Sequence, residues 1–399
     1  MAKYAGKRDR KEAQRKLNIN LKSGKIKQIL RFSLYQICFV SFNFAHLLMW
    51  WKQKKIAIIL LAVLLSGWTV VVRAETDTLK VLQLNIWHEG TQVEGGFQAI
   101  VDEIIHAEAD VAFLSEVRNY EGVPFVPRLI EALRQKGVVY YGEYSPLDVG
   151  ILSRYPILEQ EDVRATDKGE GSGSLLRALL QVGNRKVAVY SAHLDYKNYA
   201  CYLPRGYDGA TWKKMDAPVT DADSVLQANR LAYREELIRL FVQKAKEDRE
   251  RFAAVLLGGD FNEPSHLDWQ EDTRHLWDHR GVVVNWDCSS LLQNAGYKDA
   301  YRVIYPNPVT HPGFTFPSDN NRVPVDKLAW APEADERDRI DFIYYAGVAI
   351  QPLSAKVVGP SRSIVRGERV EEHTSDVFLT PLGVWPSDHK GVLVTFLLR

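Results

Sequence analysis

Ala253-Ala254-Val255-Leu256-Leu257-Gly258-Gly259-Asp260-Phe261-Asn262 is the stretch on which the fold turns. Five apolar residues run without alternation into two glycines, then into a carboxylate and an amide. A short, unbroken apolar run of this kind reads as a strand buried on both faces, as in a sheet covered on each side by another layer. The polar residues then fall at the strand's end.

The same arrangement recurs on either side. Leu79–Leu84 leads into Asn85-Ile86-Trp87-His88-Glu89, and Val111–Leu114 with Ser115 delivers Glu116. Val187–Ser191 is followed by His193 and Asp195, Ile340–Tyr345 carries Asp341 at its start, and Ser387-Asp388-His389 comes just before Val392–Leu397. Helical patterns lie between these runs. The clearest is Ser224–Arg249, where Leu226, Leu231, Leu237, Ile238, Leu240, Phe241 and Ala245 share one face. Shorter helices are expected at Phe97–Ala107 and Pro127–Lys136. Asp167–Ser174 reads as a flexible loop and Pro306–Pro324 as irregular chain. No repeat or linker divides residues 75–399, so one α/β domain is expected there.

Composition narrows the function. With 46% apolar and 25% charged residues, the chain is that of a folded globular protein. Its net charge of +1 conceals two opposed regions. Residues 1–74 hold 15 of the 51 Lys and Arg and two of the 50 acids, which leaves 36 basic and 48 acidic residues, a net of −12, in 75–399. A protein that binds bulk nucleic acid does so through basic surface, which this region lacks as any run of Lys or Arg.

Residues 49–74 have the grammar of a secretory signal peptide: Lys52-Gln53-Lys54-Lys55, an apolar block Ile56–Val72, and Ala74 ahead of Glu75. An uncleaved anchor is the competing reading, since the block is near the shortest bilayer span. The chain beyond Ala74 is expected to be secreted or periplasmic, or membrane-anchored if 56–72 is retained. Residues 1–48 are expected to be an upstream extension, with the true start at Met49. The alternative is a basic arm followed by a hydrophobic segment near Ile29–Trp51. Cys201 and Cys288 either pair or remain free buried thiols; their spacing does not decide.

Four carboxylates (Glu116, Asp260, Asp341, Asp388), two histidines (His193, His389) and two asparagines (Asn85, Asn262) at strand ends suit a hard divalent cation. Oxygen-rich ligation favours Mg²⁺ or Mn²⁺ over zinc. Singly, each residue has a plain alternative as a turn former, a cap or a satisfied core histidine. Their ordered recurrence is what points to a site.

That order, from Asn85 and Glu116 through His193, Gly259-Asp260-Phe261-Asn262 and Ile340-Asp341-Phe342 to Ser387-Asp388-His389, resembles the endonuclease/exonuclease/phosphatase superfamily over nearly all of 79–398. The resemblance implies a four-layer α/β sandwich, two mixed β-sheets packed face to face with helices outside. It implies a metal held by Glu116, with Asn85 and Asp388 nearby, and an attacking water activated or oriented by Asp260. Asn262 would hold the phosphate or the water, His389 would pair with Asp341, and His193 would contact a phosphate oxygen. Trp87 stands where some relatives carry a further acid, so a second metal is not expected.

The segment Tyr196–Ser224, rich in aromatic residues, either packs on itself or walls the site. In the second case Trp87, Asp195 and Tyr196 would touch substrate and Arg205 would meet a phosphate. The expected function is metal-dependent hydrolysis of a small-molecule or lipid phosphoester, with no obligate protein partner and membrane contact only through an uncleaved N-terminal segment. A secreted endonuclease and a catalytically silent binding module on the same scaffold are the alternatives.

Overall fold

The computed structural model describes residues 78–163 and 173–399. The segments expected at 1–48 and 49–74 lie outside the described residues, as does most of the loop expected at Asp167–Ser174, whose last residue begins a strand. The chain runs β1 (Thr78–Asn85), α1 (Gly96–His106), β2 (Val111–Ser115), α2 (Phe125–Gln135), β3 (Val149–Ser153), β4 (Ile157–Val163), β5 (Ser174–Val182) and β6 (Arg185–His193). It continues through α3 (Ala222–Asn229), α4 (Arg234–Arg251), β7 (Ala254–Asp260), α5 (Asp287–Asn294), β8 (Lys298–Asp299), α6 (Ala300–Ile304) and β9 (Asp341–Ala346). Last come β10 (Ile350–Val358), β11 (Arg362–Val365), β12 (Glu368–Glu371), β13 (Phe378–Leu379) and β14 (Gly391–Leu398).

Two six-stranded mixed sheets form, in the orders β13-β10-β14-β1-β2-β3 and β4-β5-β6-β7-β9-β8, beside a small β11–β12 ribbon. The expected sandwich is what the packing shows. Val81, Phe113 and Ile151 of the first sheet meet Leu176, Val189, Leu256 and Ile343 of the second in one buried cluster. Outside the first sheet, Ile100, Ile104, Leu129 and Leu133 of α1 and α2 cover Leu82 and Leu114. Outside the second, Leu237, Ile238 and Phe241 of α4 and Leu292 of α5 cover Leu179, Val255 and Leu257. Each fully buried Leu, Ile or Phe contributes about 1.5–3 kcal/mol, which is why the central strands are apolar on both faces.

Gly258 and Gly259 are part of β7 rather than a turn after it. A Cβ on Gly258 would lie 2.1 Å from Cδ2 of Phe113 in the opposite sheet, so glycine is what lets the sheets close here. Register then gathers the strand ends. Asn85 pairs with Ser115 and His193 with Asp260 in parallel ladders, and Asp260 pairs with Asp341 antiparallel. Residues from Asn85 to Asp341 thus meet at one edge of the sandwich.

The long helix expected at Ser224–Arg249 is two helices, α3 and α4, broken between Asn229 and Arg234. The cause is Arg234, a wholly buried side chain whose guanidinium donates to the carbonyls of Asp195, Lys197, Asn198 and Asn229 and to Oδ1 of Asn229. Leu231, expected on the apolar face, falls in the break and is 70% exposed. Cys201 and Cys288 are both buried and both free. No described helix is long and apolar enough to cross a membrane.

Candidate active site

Asn85 ends β1 and turns the chain: its Oδ1 accepts from the Trp87 amide at 2.9 Å. Its Nδ2 donates to Asp260 Oδ2 at 2.9 Å and to Glu116 Oε1 at 3.3 Å, tying together the ends of β1, β2 and β7. The adjoining residues Trp87, His88 and Glu89 all adopt positive φ (39°, 55° and 61°), as do Glu116 (70°) and Asn262 (48°). Left-handed conformations cost non-glycine residues about 1–2 kcal/mol each, so surrounding bonds must hold them. The His88 amide donates to Glu116 Oε2 at 2.8 Å. The buried Glu89 carboxylate accepts from the Arg118 and Asn119 amides and from the Arg128 guanidinium, at 3.0, 2.6 and 3.0 Å. Glu89 therefore braces the loop that carries Glu116.

Asp260 is the centre of the arrangement. Its Oδ1 accepts from the Asn262 amide at 2.9 Å, and its Oδ2 lies 3.8 Å from Nε2 of both His193 and His389. Each imidazole is backed by a second carboxylate. His193 Nδ1 is 2.8 Å from Asp148 Oδ2 and His389 Nδ1 is 3.0 Å from Asp341 Oδ2, which places a proton on each Nδ1 and turns each Nε2 toward Asp260. Gln83 donates to Asp341 Oδ1 at 3.3 Å, and Thr315 Oγ1 accepts from the Asp341 amide. Burial opposes charge on both histidines, but the surrounding carboxylates prevail. Asp341 and Asp260 raise His389 from 6.5 to about 10, and Asp148 with Asp260 and Glu116 raises His193 to about 9.

The carboxylates around Glu116 are placed differently. Burial, with Glu116 and Asp260 close by, pushes Asp388 up to about 7, and its buried Oδ1 has no hydrogen-bond partner. Burial also opposes charge on Glu116, yet His193, Arg118, His88 and His389 bring its pKa below 4.5. An orphaned carboxylate oxygen beside an ionised glutamate is the donor set a hard divalent cation satisfies. Asp260, Asp341 and His389 also present ligand atoms within 4.8 Å of one another. There, however, both Asp341 oxygens are already taken, by Gln83 and His389, which leaves the unpartnered Asp388 oxygen near Glu116 the freer donor for a cation.

These groups open into a pocket of about 460 Å³ lined by Trp87, His88, Glu116, Arg118, His193, Tyr196, Tyr199, Tyr202, Trp212, Asp260, Asn262, Phe316, Trp330, Ile340, Asp388 and His389. Asn262 keeps its amide near the β6 end, donating to the Leu194 carbonyl at 3.1 Å. Asn85 and Asp341 stand directly behind the lining.

Two expected substrate contacts are elsewhere. Asp195 is buried and caps the turn after β6, its oxygens accepting from the Lys197 and Tyr233 amides at 3.0 and 3.2 Å. Arg205 has a fully buried guanidinium that pairs with Asp338 and donates to the Arg337 carbonyl, so it meets no phosphate. Both readings of Tyr196–Ser224 hold at once: Tyr199, Tyr202 and Tyr207 join a buried cluster with Trp269 and Trp286, while Tyr196, Tyr199, Tyr202 and Trp212 face the pocket.

Sequence reasoning misses His88, Arg118, Asp148, Gln83 and Trp330 as site residues. Arg118 lies two positions past Glu116, and that proximity is a signal. Asp148 precedes a strand whose Gly150 masks it, and Trp330 sits in irregular chain with no pattern to mark it.

The model of the endonuclease/exonuclease/phosphatase family matches residues 82–389. An uncharacterized protein of Caenorhabditis elegans is 27% identical over 321 residues, covering 80% of this chain and 92% of that one. Among solved structures, zebrafish (D. rerio) TDP2 complexed with a single-strand DNA product is 17% identical with a TM-score of 0.46, covering 80% of this chain and 98% of that one. The human Nocturnin catalytic domain with bound sulfate is 16% identical with a TM-score of 0.44, covering 81% and 96%.

Proposed function

The chain belongs to the endonuclease/exonuclease/phosphatase family, whose members hydrolyse phosphoester bonds, and from that premise we propose that it is a divalent-metal-dependent phosphoesterase acting on a small-molecule or lipid substrate outside the cytoplasm. The observation that carries the chemistry is Asp260, flanked at 3.8 Å by two imidazoles that are each backed by a carboxylate.

Burial and Asp341 raise the pKa of Asp260, against the opposing pull of His389, which suits a carboxylate that accepts a proton from an attacking water. His193 and His389, held protonated, donate to the non-bridging phosphoryl oxygens, where negative charge grows during in-line displacement. Asn262 and the Asn85 amide orient the water and Asp260. Glu116 and Asp388, with Asn85 alongside, would hold a divalent cation such as Mg²⁺ or Mn²⁺. When bound, such an ion neutralises charge on the phosphoryl group and polarises it toward attack.

Substrate size and location rest on other grounds. Arg118 is the one Lys or Arg among the described residues that line the pocket, and residues 75–399 carry a net of −12, a poor match for a polyanion. The signal-peptide grammar of 49–74 supports the extracytoplasmic placement. No obligate protein partner enters the proposal.

Purified protein should hydrolyse bis(p-nitrophenyl) phosphate with Mg²⁺ or Mn²⁺, lose activity in EDTA, and fall by about 10²-fold or more as Asp260→Asn. Turnover that persists in EDTA, or a near-normal Asp260→Asn variant, would overturn the reading. Plasmid DNA cleaved faster than small esters would return the endonuclease alternative.

A further inference from the structure

Two loops converge on Glu116, and each carries a carboxylate held by the backbone of the other. Glu116, at the head of the loop after β2, accepts from the His88 amide of the loop after β1 at 2.8 Å. Glu89, in the loop after β1, accepts in return through Oε1 from the Arg118 and Asn119 amides, two and three positions beyond Glu116. The exchange is reciprocal, but the two acids differ in place. Glu116 lines the pocket, whereas Glu89 is 2% exposed and stands outside the lining.

Both loops need to be held. Trp87, His88 and Glu89 in the first, and Glu116, Asn119 and Glu121 in the second, have positive φ between 39° and 70°. Such backbone persists only where surrounding bonds over-determine it. The bonds that Glu116 accepts fall on the same oxygens it would offer a cation. Those accepted by Glu89 do not, so they can fix the Glu116 loop whatever the pocket holds.

The charge partner of Glu89 comes from α2. Nη2 of Arg128 lies 3.0 Å from Glu89 Oε2, and the guanidinium sits 4.6 Å from the ring centre of Phe97 in α1 and 5.3 Å from that of Phe125 in α2. Asn119 ties the same loop to α2 a second time, its Oδ1 accepting from the Phe125 amide at 3.0 Å. The Glu116 loop is thereby referred to the helices outside the first sheet.

Resting on the reading of Glu116 and Asp388 as cation ligands, we propose that Glu89 and Arg128 are positioning residues that set the divalent-cation affinity of the site through Glu116. Partners that orient a ligand from behind commonly govern metal affinity by about 10–100-fold. Glutamine at position 89 keeps the size of the side chain but replaces one acceptor with a donor. Its amino group must then face either the Arg118 and Asn119 amides or the Arg128 guanidinium, which are donors themselves.

The test titrates Mn²⁺ into the full-length protein freed of metal with EDTA, reading free Mn²⁺ by its electron paramagnetic resonance signal, with Glu116→Gln as reference. Glu89→Gln should raise the Kd for Mn²⁺ by about tenfold or more, and Arg128→Gln by at least about threefold. Arg128→Lys, which keeps the charge, should restore most of the affinity. The Mn²⁺ concentration that half-saturates hydrolysis of bis(p-nitrophenyl) phosphate should rise in parallel. A merely structural role would lower the melting temperature and leave the Kd alone.

A Kd unmoved by Glu89→Gln, while Glu116→Gln weakens binding, would overturn the positioning role and leave the cation site standing. A Kd unmoved by Glu116→Gln would overturn the cation site and this inference with it. Should Glu89→Gln fail to fold, Arg128→Gln, at an exposed position, decides: wild-type affinity there overturns the proposal.

Discussion

Replacing Asp341 by Asn should nearly abolish turnover while leaving the fold intact. Asp341 is wholly buried, and both its oxygens accept: Oδ1 from Gln83 at 3.3 Å and Oδ2 from His389 Nδ1 at 3.0 Å. Asparagine offers one acceptor and one donor in the same volume. If its oxygen stays on His389, its amino group meets the Gln83 donor. If it flips, His389 must present a lone pair at Nδ1, which moves its neutral proton to Nε2 and removes the carboxylate that holds the ring charged.

Losing one buried hydrogen bond costs about 1–3 kcal/mol, too little to unfold a domain of this size. Losing the charged, correctly oriented imidazole should cost about 10²–10⁴-fold in kcat, or about 3–5.5 kcal/mol of barrier. The equivalent change behind the other histidine, Asp148→Asn, should cost at least tenfold less, because the Asp148 side chain is 26% exposed and water can stand in for it. Steady-state hydrolysis of bis(p-nitrophenyl) phosphate at saturating Mn²⁺, with thermal melts of each variant, makes the comparison. A kcat for Asp341→Asn within threefold of wild type, with an unchanged melt, would refute the role assigned to the His389–Asp341 pair.

Other outcomes come from the packing. Burial raises Glu103 from 4.5 to about 7 and leaves its Oε2 without a partner, so between those pH values the folded chain retains a proton that the unfolded chain has released. Its contribution to stability therefore falls as pH rises through that window, and Glu103→Gln should gain up to about 3 kcal/mol at pH 8 and nothing below pH 4.5, read from denaturant melts at both. Arg205→Ala should destabilise by about 3–5 kcal/mol by stranding Asp338, with KM of any surviving enzyme unchanged; a raised KM without lost stability would return Arg205 to the substrate. Gly258→Ala should cost about 1–3 kcal/mol through its clash with Phe113, and Phe113→Leu in the same chain should recover part of it, a coupling that a double-mutant cycle measures.

The α/β class and the placing of polar residues at strand ends were legible in the chain because both depend on short-range pattern, whereas the two-sheet sandwich was what the family resemblance implied. Unbroken apolar runs of strand length such as Val111–Leu114 and Ala253–Leu257 read as strands covered on both faces, and a carboxylate at the end of such a run is costly unless it is paired or serves a site. Boundaries were less legible. Nothing in the spacing of Leu226, Leu231 and Leu237 shows that Arg234 gathers four backbone carbonyls and breaks the helix between them.

The chain alone could not show which polar groups share a partner. Arg205 and Arg118 are alike as residues. One is paired with Asp338 in the interior and the other lines the pocket, a difference made by where irregular segments 80 and more residues apart come to rest. Asp148 became the partner of His193, and Trp330 the neighbour of Trp212, in the same way. Periodicity encodes burial, because burial is a property of one segment and its solvent; a site encodes distances between segments, and those exist only once the two sheets have closed.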